Sequence, residues 1–257
     1  MTTSSSAALA AAVLIGSVFT MKVSETRDQD IQIYVKDGRP LAAAIVKLEE
    51  QSGWVITYED PQWLHDSEID DVTTQVRRDG ALTPKVLVPK GGTFAFVFPQ
   101  SRLTDVAPAA KAQTVVDALL DAYRASGSPG EFRSVRTGEI FHVVPTAVTD
   151  RSGHTVEYRS LLDARISLPA GDRNVMDDVN LILIATSNAS GHRLAMGTIP
   201  TNLFMQRQVH GGATAEVARD VLVRTLLSTG SKLSWRLLCE PGEDKFCVLN
   251  VPLLFSR

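Results

Sequence analysis

Residues 31–60 read IQIYVKDGRPLAAAIVKLEEQSGWVITYED. Ile31, Ile33 and Val35 alternate with Gln32 and Tyr34, the period-2 pattern of a half-buried strand. Asp37-Gly38 is a turn signal, because Gly accepts positive φ and Asp bonds nearby backbone N–H groups. Pro40 suits a first helical turn, where its missing N–H costs nothing. Leu41, Ala44, Ile45 and Leu48 follow at i, i+3, i+4 and i+7, so they share one helix face. Gly53 is placed to end that helix in the left-handed conformation. Trp54 to Tyr58 are strand formers, and Pro61 ends the run. The stretch therefore predicts strand, turn, amphipathic helix, glycine stop and strand.

A short strand, a turn ending in Pro40-Leu41, a helix of the form Leu-x-x-x-Ile-x-x-Leu, then Gln51-Ser52-Gly53 and a β-rich segment resembles the secretin and TonB short N-terminal domain. The likeness covers roughly residues 31–60. It implies a small periplasmic α+β module that docks partners, with no catalytic residues to carry over. The outer-membrane barrel that usually accompanies such modules has no counterpart here.

Working outward, residues 61–92 are the least regular part of the chain. The acidic residues Asp66, Glu68, Asp70 and Asp71 lack the Gly and distal Glu of an EF-hand loop, so they read as a solvated loop. Residues 86–88 and 94–98 read as strands joined by Pro89-Lys90-Gly91-Gly92. Phe94, Phe96 and Phe98 share one strand face. That face is either core or an exposed strip for docking at a sheet edge. A second helix is predicted from Ala109 to Gly127, with Val115, Leu119 and Tyr123 along one stripe. Phe132 to Arg136 and Ile140 to Val144 then form a hairpin through Thr137-Gly138-Glu139.

The C-terminal part repeats this order. Leu41, Ile45 and Gly53 match Val179, Leu183 and Gly191, while Ile56 and Tyr58 match Leu194 and Met196. Ala112, Leu119, Leu120 and Gly127 match Ala215, Leu222, Val223 and Gly230. Phe132 and Arg133 match Trp235 and Arg236, and Ile140 and Val143 match Phe246 and Leu249. The predicted fold is α+β: two tandem β-α-β-β-α-β-β units, each a small mixed sheet with two helices packed on one face. The first unit spans 25–150, with an insertion near 62–92. The second spans 151–257, with the boundary near 148–160 in the polar, turn-rich segment TDRSGHTVEYRS. The uncovered sheet faces or edges are the expected docking surfaces.

Residues 1–24 read as an export segment. Ala7 to Val18 is apolar apart from Gly16 and Ser17, shorter than the roughly 20 residues of a membrane span. Residues 1–6 carry no Lys or Arg, so three readings stay open: signal peptide, uncleaved anchor over 7–21, or an Ala-rich helix of the mature chain. Cys239 and Cys247, the only cysteines, flank the turn of the last predicted hairpin. A turn centred on Glu243 sets them opposite each other, within disulfide reach, and an exported location would let the bond form.

A 44% hydrophobic chain of 257 residues can bury a sizeable core. Its net charge of −3 gives no basis for a polyanion partner, and 6% aromatics supply no base-stacking platform. His65, His142, His154, His192 and His210 are too scattered for a zinc motif. His210-Gly211-Gly212 reads as an entry into a helix, without the G-x-S-x-G elbow of esterases. Gly127-Ser128-Pro129-Gly130 reads as a helix-ending turn. No catalytic, cofactor or metal residues are assigned, and neither nucleic acid nor a membrane span, the 7–21 anchor apart, is expected. The favoured function is a periplasmic or secreted, non-enzymatic interaction module with a protein partner in the cell envelope. The alternatives are a small-ligand binding protein using the cavity between the halves, and a hydrolase built on His142 or His192 with a nearby Ser and Asp.

Overall fold

The computed structural model describes residues 30–76, 85–242 and 245–254. The export segment (1–24), the anchor reading (7–21) and the turn centre Glu243 lie outside them. The first half runs β1 (Ile31–Asp37), α1 (Pro40–Ser52), β2 (Val55–Glu59), β3 (Ile69–Asp71), α2 (Thr73–Val76), β4 (Leu87–Pro89), β5 (Gly92–Phe98), α3 (Pro108–Ala125), β6 (Glu131–Thr137), β7 (Ile140–Thr149) and β8 (Thr155–Glu157). The second runs β9 (Arg165–Asn174), α4 (Val175–Ser190), β10 (Arg193–Met196), α5 (Thr201–Gln206), β11 (Gln208–Val217), α6 (Ala218–Leu227), β12 (Arg236–Cys239) and β13 (Phe246–Asn250). The fold is α+β.

The opening stretch folds as its pattern dictates. Gly53 caps α1 at φ 69° and donates its N–H to Glu49 O; Gly191 caps α4 at φ 71° and donates to Ser187 O. Both caps need the left-handed conformation that a side chain resists.

The strands do not form one sheet per unit with helices on one face. In the first unit, β1 and β5 make a separate antiparallel ribbon, while β2, β7 and β6 make a mixed sheet. Helices α1 and α3 lie between the two. The reason is in the sequence: Ile31, Ile33 and Val35 on β1 and Phe94, Phe96 and Phe98 on β5 are all buried, and this second apolar strand surface needs its own cover. Those phenylalanines are core, not a docking strip. In the second unit, β9 and β11 form the ribbon, and β10, β13 and β12 the sheet.

The registers repeat. Val55 pairs with Ile140 as Arg193 pairs with Phe246, both parallel. Ser134 pairs with Val143 as Leu237 pairs with Leu249, both antiparallel. One predicted match fails: Ala112 lies in α3, whereas Ala215 lies in β11 at φ 52°, because α6 begins only at Ala218. His210-Gly211-Gly212 likewise sits inside β11 rather than at a helix entrance. Gly211 is required there because a Cβ would collide with the buried carboxylate of Asp178.

The largest departure from expectation is that the two units share a sheet. Its strand order is β10-β13-β12-β2-β7-β6, with β8 pairing on β7. At the centre β12 runs parallel to β2: Tyr58 N donates to Trp235 O (3.0 Å) and Asp60 N to Leu237 O (2.8 Å). Ile56 and Tyr58 point into the first core, and Leu237, beside Glu59, points into the second. Because side chains alternate across a strand, the helices of the two units cover opposite faces of this sheet.

Candidate functional site

The junction between the units gathers most of the buried charge. Glu59 ends β2 and is 1% exposed. Arg219, in the first turn of α6, donates Nε–H to Glu59 Oε1 at 2.9 Å and also reaches Asp163 and Ser160. Ser160 Oγ donates to Glu59 in turn. Such a cluster is tolerated in a core because charge and hydrogen bonds are both matched.

Asp60, the next residue, is fully buried on the other side of the backbone. It accepts from Arg39 Nε (2.5 Å), Tyr58 Oη (2.8 Å) and Cys239 N (2.9 Å), while Arg39 Nη2 donates to Cys239 O (2.8 Å). Glu49, on α1, accepts from Ile56 N at 3.0 Å and pairs with Arg236 of β12. Burial pushes both the Asp60 and Glu49 carboxyls above their ordinary values, against the pull of Arg39 and Arg236. The Cys239–Cys247 disulfide joins directly opposed residues of β12 and β13. The backbone of Cys239 is thus held by the first unit's Asp60 and Arg39.

His142 lies in the same seam. It is completely buried, its ring stacks on Trp235 with centroids 5.1 Å apart, and Nδ1 is 2.8 Å from Thr57 Oγ1. Burial, with Arg219 adding to it, pushes its pKa down to about 3, so the imidazole is neutral. His142 therefore meets a threonine, not the Ser–Asp pair a hydrolase would need. His192 Nδ1 contacts Ser190 O (3.1 Å) in the loop after α4. His65 Nδ1 is 2.6 Å from Ser67 Oγ within an exposed turn, and His210 pairs with Asp172 at the surface. Among the described residues no three His, Cys, Asp or Glu side chains converge as a metal site. The acidic 66–71 segment is engaged locally: Asp71 accepts from Thr73 N, and Glu68 from Thr149 Oγ1.

A groove of about 400 Å³ opens along the seam. One wall is the outer side of α1 and the end of β1, with Val35, Ala42, Ala43 and Val46; the other is β12, with Arg236 and Leu238. Asp37, Arg39, Lys47 and Glu50 rim it. Arg39 and Arg236 are already tied to Asp60 and Glu49, so the groove offers an aliphatic floor between balanced charges. Sequence reasoning offered a cavity between the halves as an alternative but placed none of these residues in it. Its one clue was Tyr58-Glu59-Asp60, two carboxylates ending a strand otherwise built for the core.

No family model, curated protein or solved structure matches this chain. Among the described residues no helix is long and apolar enough to cross a membrane.

Proposed function

We propose that this protein is an exported, non-enzymatic interaction module, in the manner of the secretin and TonB short N-terminal domains that residues 31–60 resemble. The observation that carries this reading is the groove whose two walls come from different units, because only the assembled pair creates it. With β3, α2, β4, β8 and α5 set aside as additions, the order β-α-β-β-α-β-β recurs in both halves and supports the likeness, and the disulfide is compatible with an oxidising compartment outside the cytoplasm. The accessible features suit contact rather than turnover: His142, Glu59, Asp60 and Arg219 are sealed in the seam. A protein partner in the cell envelope would lay aliphatic side chains on Ala43, Val46 and Leu238.

The test compares the full chain with its Ala43→Glu variant as bait in an envelope extract. The reading expects one partner held by the wild type and lost by the variant. Equal retention by both would remove the groove from the interaction.

A second reading, a small apolar ligand in the same groove, is favoured by its volume, which lies within the range of ligand pockets. A thermal shift with envelope metabolites separates the two, since a bound ligand stabilises the folded form.

A further inference from the structure

The join between the units is head-to-tail. It pairs the β12 edge of the second unit with the β2 edge of the first, two different surfaces. Each has a counterpart on the same chain that no strand among the described residues pairs with. The repeated registers make β6 the counterpart of β12, and β10 the counterpart of β2; they are the two outer strands of the shared sheet.

The helix beside each edge matches too. On α1, Ala43, Val46, Lys47 and Glu50 overlie the neighbouring β12 across the groove. Their counterparts on α4 are Leu181, Ile184, Ala185 and Asn188. Both charges have gone and the aliphatic groups are larger. Ile184 is 48% exposed, whereas Leu181 and Ala185 are half-buried against the second core. The first edge N–H of each strand is capped in the same way, Ile56 N by Glu49 Oε1 and Leu194 N by Ser187 Oγ. Tyr58 N uses the next edge position to bond β12. The parallel alternation leaves Met196 N facing the open side of β10 at the same place. Thr198 N, the counterpart of Asp60 N, is bonded to Asn250 Oδ1 (2.8 Å), so one ladder bond fewer is available. On β6, Arg133 and half-buried Val135 stand where Arg236 and Leu238 stand on β12.

We propose that the β10 edge and the Leu181–Ile184 stripe of α4 are a docking surface for the β6 edge of a second copy of this chain. Phe132 O would accept from Met196 N, and Val135 would lie under Leu181 and Ile184, as Leu238 lies under α1. This rests on reading the protein as an interaction module and names one partner for it. The buried clamp of the internal join is absent at the new one: Glu59, Asp60 and Glu49 are replaced by Gly197, Thr198 and Ser187. The contact is therefore weak and reversible, and because it is heterologous it adds copies in a row.

Sedimentation of the full chain, with the disulfide intact, tests this over a hundredfold concentration range. The wild type should rise in average mass with concentration. Ile184→Lys and Val135→Lys each block one surface, so each variant alone should stay monomeric. An equimolar mixture should form dimers and nothing larger, because each variant still carries one working surface. Circular dichroism melts unchanged from wild type show that both variants are folded; if one is not, the exposed positions on the same surfaces replace it, Asn188→Lys for Ile184→Lys and Arg133→Glu for Val135→Lys. A wild type that is monomeric throughout, variants that still self-associate, or a mixture that stays monomeric would each overturn the proposal. None of these outcomes touches the groove, which the Ala43→Glu comparison judges separately.

Discussion

Strands β2 and β10 occupy the same place in their units and end differently. β2 runs into Glu59-Asp60, and the carboxylates are buried under Arg219 of the other unit and Arg39 of the β1–α1 turn in the same unit. β10 runs into Gly197-Thr198, and Asn250 folds over its end. A Cβ at Gly197 would collide with Asn250 and Val248. One backbone arrangement thus serves as an internal joint in the first case and as a partly covered edge in the second. The pair Thr57 and His142, buried against Trp235, becomes Ala195 and Val248 in the second unit. The comparison teaches that the backbone supplies the repeat, while a handful of polar side chains decides which copy of an edge is used. Edges left bare invite pairing with other chains, so this choice carries consequence.

The sharpest way to break the comparison is at Arg219. Arg219→Met leaves Glu59 buried without its cation, and urea titration should show a loss of about 3–5 kcal/mol. The double variant Glu59→Leu/Arg219→Met should recover a substantial part of that loss, since replacing both partners avoids an unpaired buried charge. A double variant no better than the single one would mean that the loss does not come from an unpaired carboxylate at Glu59.

Replacing the disulfide comes next. Cys239→Ala/Cys247→Ala should lower stability by about 2–3 kcal/mol, the range for a short closed loop. The first unit should feel it, because Cys239 anchors Asp60 and Arg39. Hydrogen exchange at Ile56 and Tyr58 would report that; faster exchange confined to β12 and β13 would contradict it.

Grafting the second unit's residues into the first, as Thr57→Ala/His142→Val, should change the pH dependence. The wild-type imidazole is held to a pKa of about 3 against an ordinary 6.5. Between these values the unfolded chain takes up a proton and the folded chain does not. Stability from this source is therefore complete above pH 6.5 and is lost as pH falls toward 3. The loss amounts to about 2 kcal/mol by pH 5. The graft should flatten that slope in chemical denaturation at several pH values, and an unchanged slope would place the titrating group elsewhere.

The smallest effects are expected at the helix stops. Gly53→Val and Gly191→Val force a β-branched residue to φ near 70°, and each should cost about 1–2 kcal/mol. Similar losses in the two units would match their shared backbone; a neutral result at either would mark that cap as relaxed.

These differences also show what could be read in the sequence. Leu41, Ile45 and Gly53, and their counterparts Val179, Leu183 and Gly191, sit where local periodicity and helix-stop rules put them, because both are short-range constraints. The match of Ile56 to Leu194 has its counterpart in strand register. The Cys239–Cys247 pairing was legible because hairpin geometry alone sets it. The fusion of two sheets was not, because a parallel pairing between residues as distant as Tyr58 and Arg236 leaves no periodic mark. Nor was the candidate site. Arg219 meets Glu59 across 160 positions, and nothing in the local composition of either segment points to the other. The match of Ala112 to Ala215 failed for a related reason: β11 runs on to Val217, into the segment aligned with α3, and delays the start of α6.

Since the helices of each unit grip opposite faces of one sheet, and β8, Ser160 and Asp163 hold their places by pairing and hydrogen bonds, the covalent link at the turn after β7 has little to do in keeping the halves together. A single proteolytic nick at the exposed Arg151-Ser152 turn should leave a particle that migrates intact until denatured. The same protein could then be produced as two separate gene fragments that find each other after synthesis, the shared sheet serving as their recognition code.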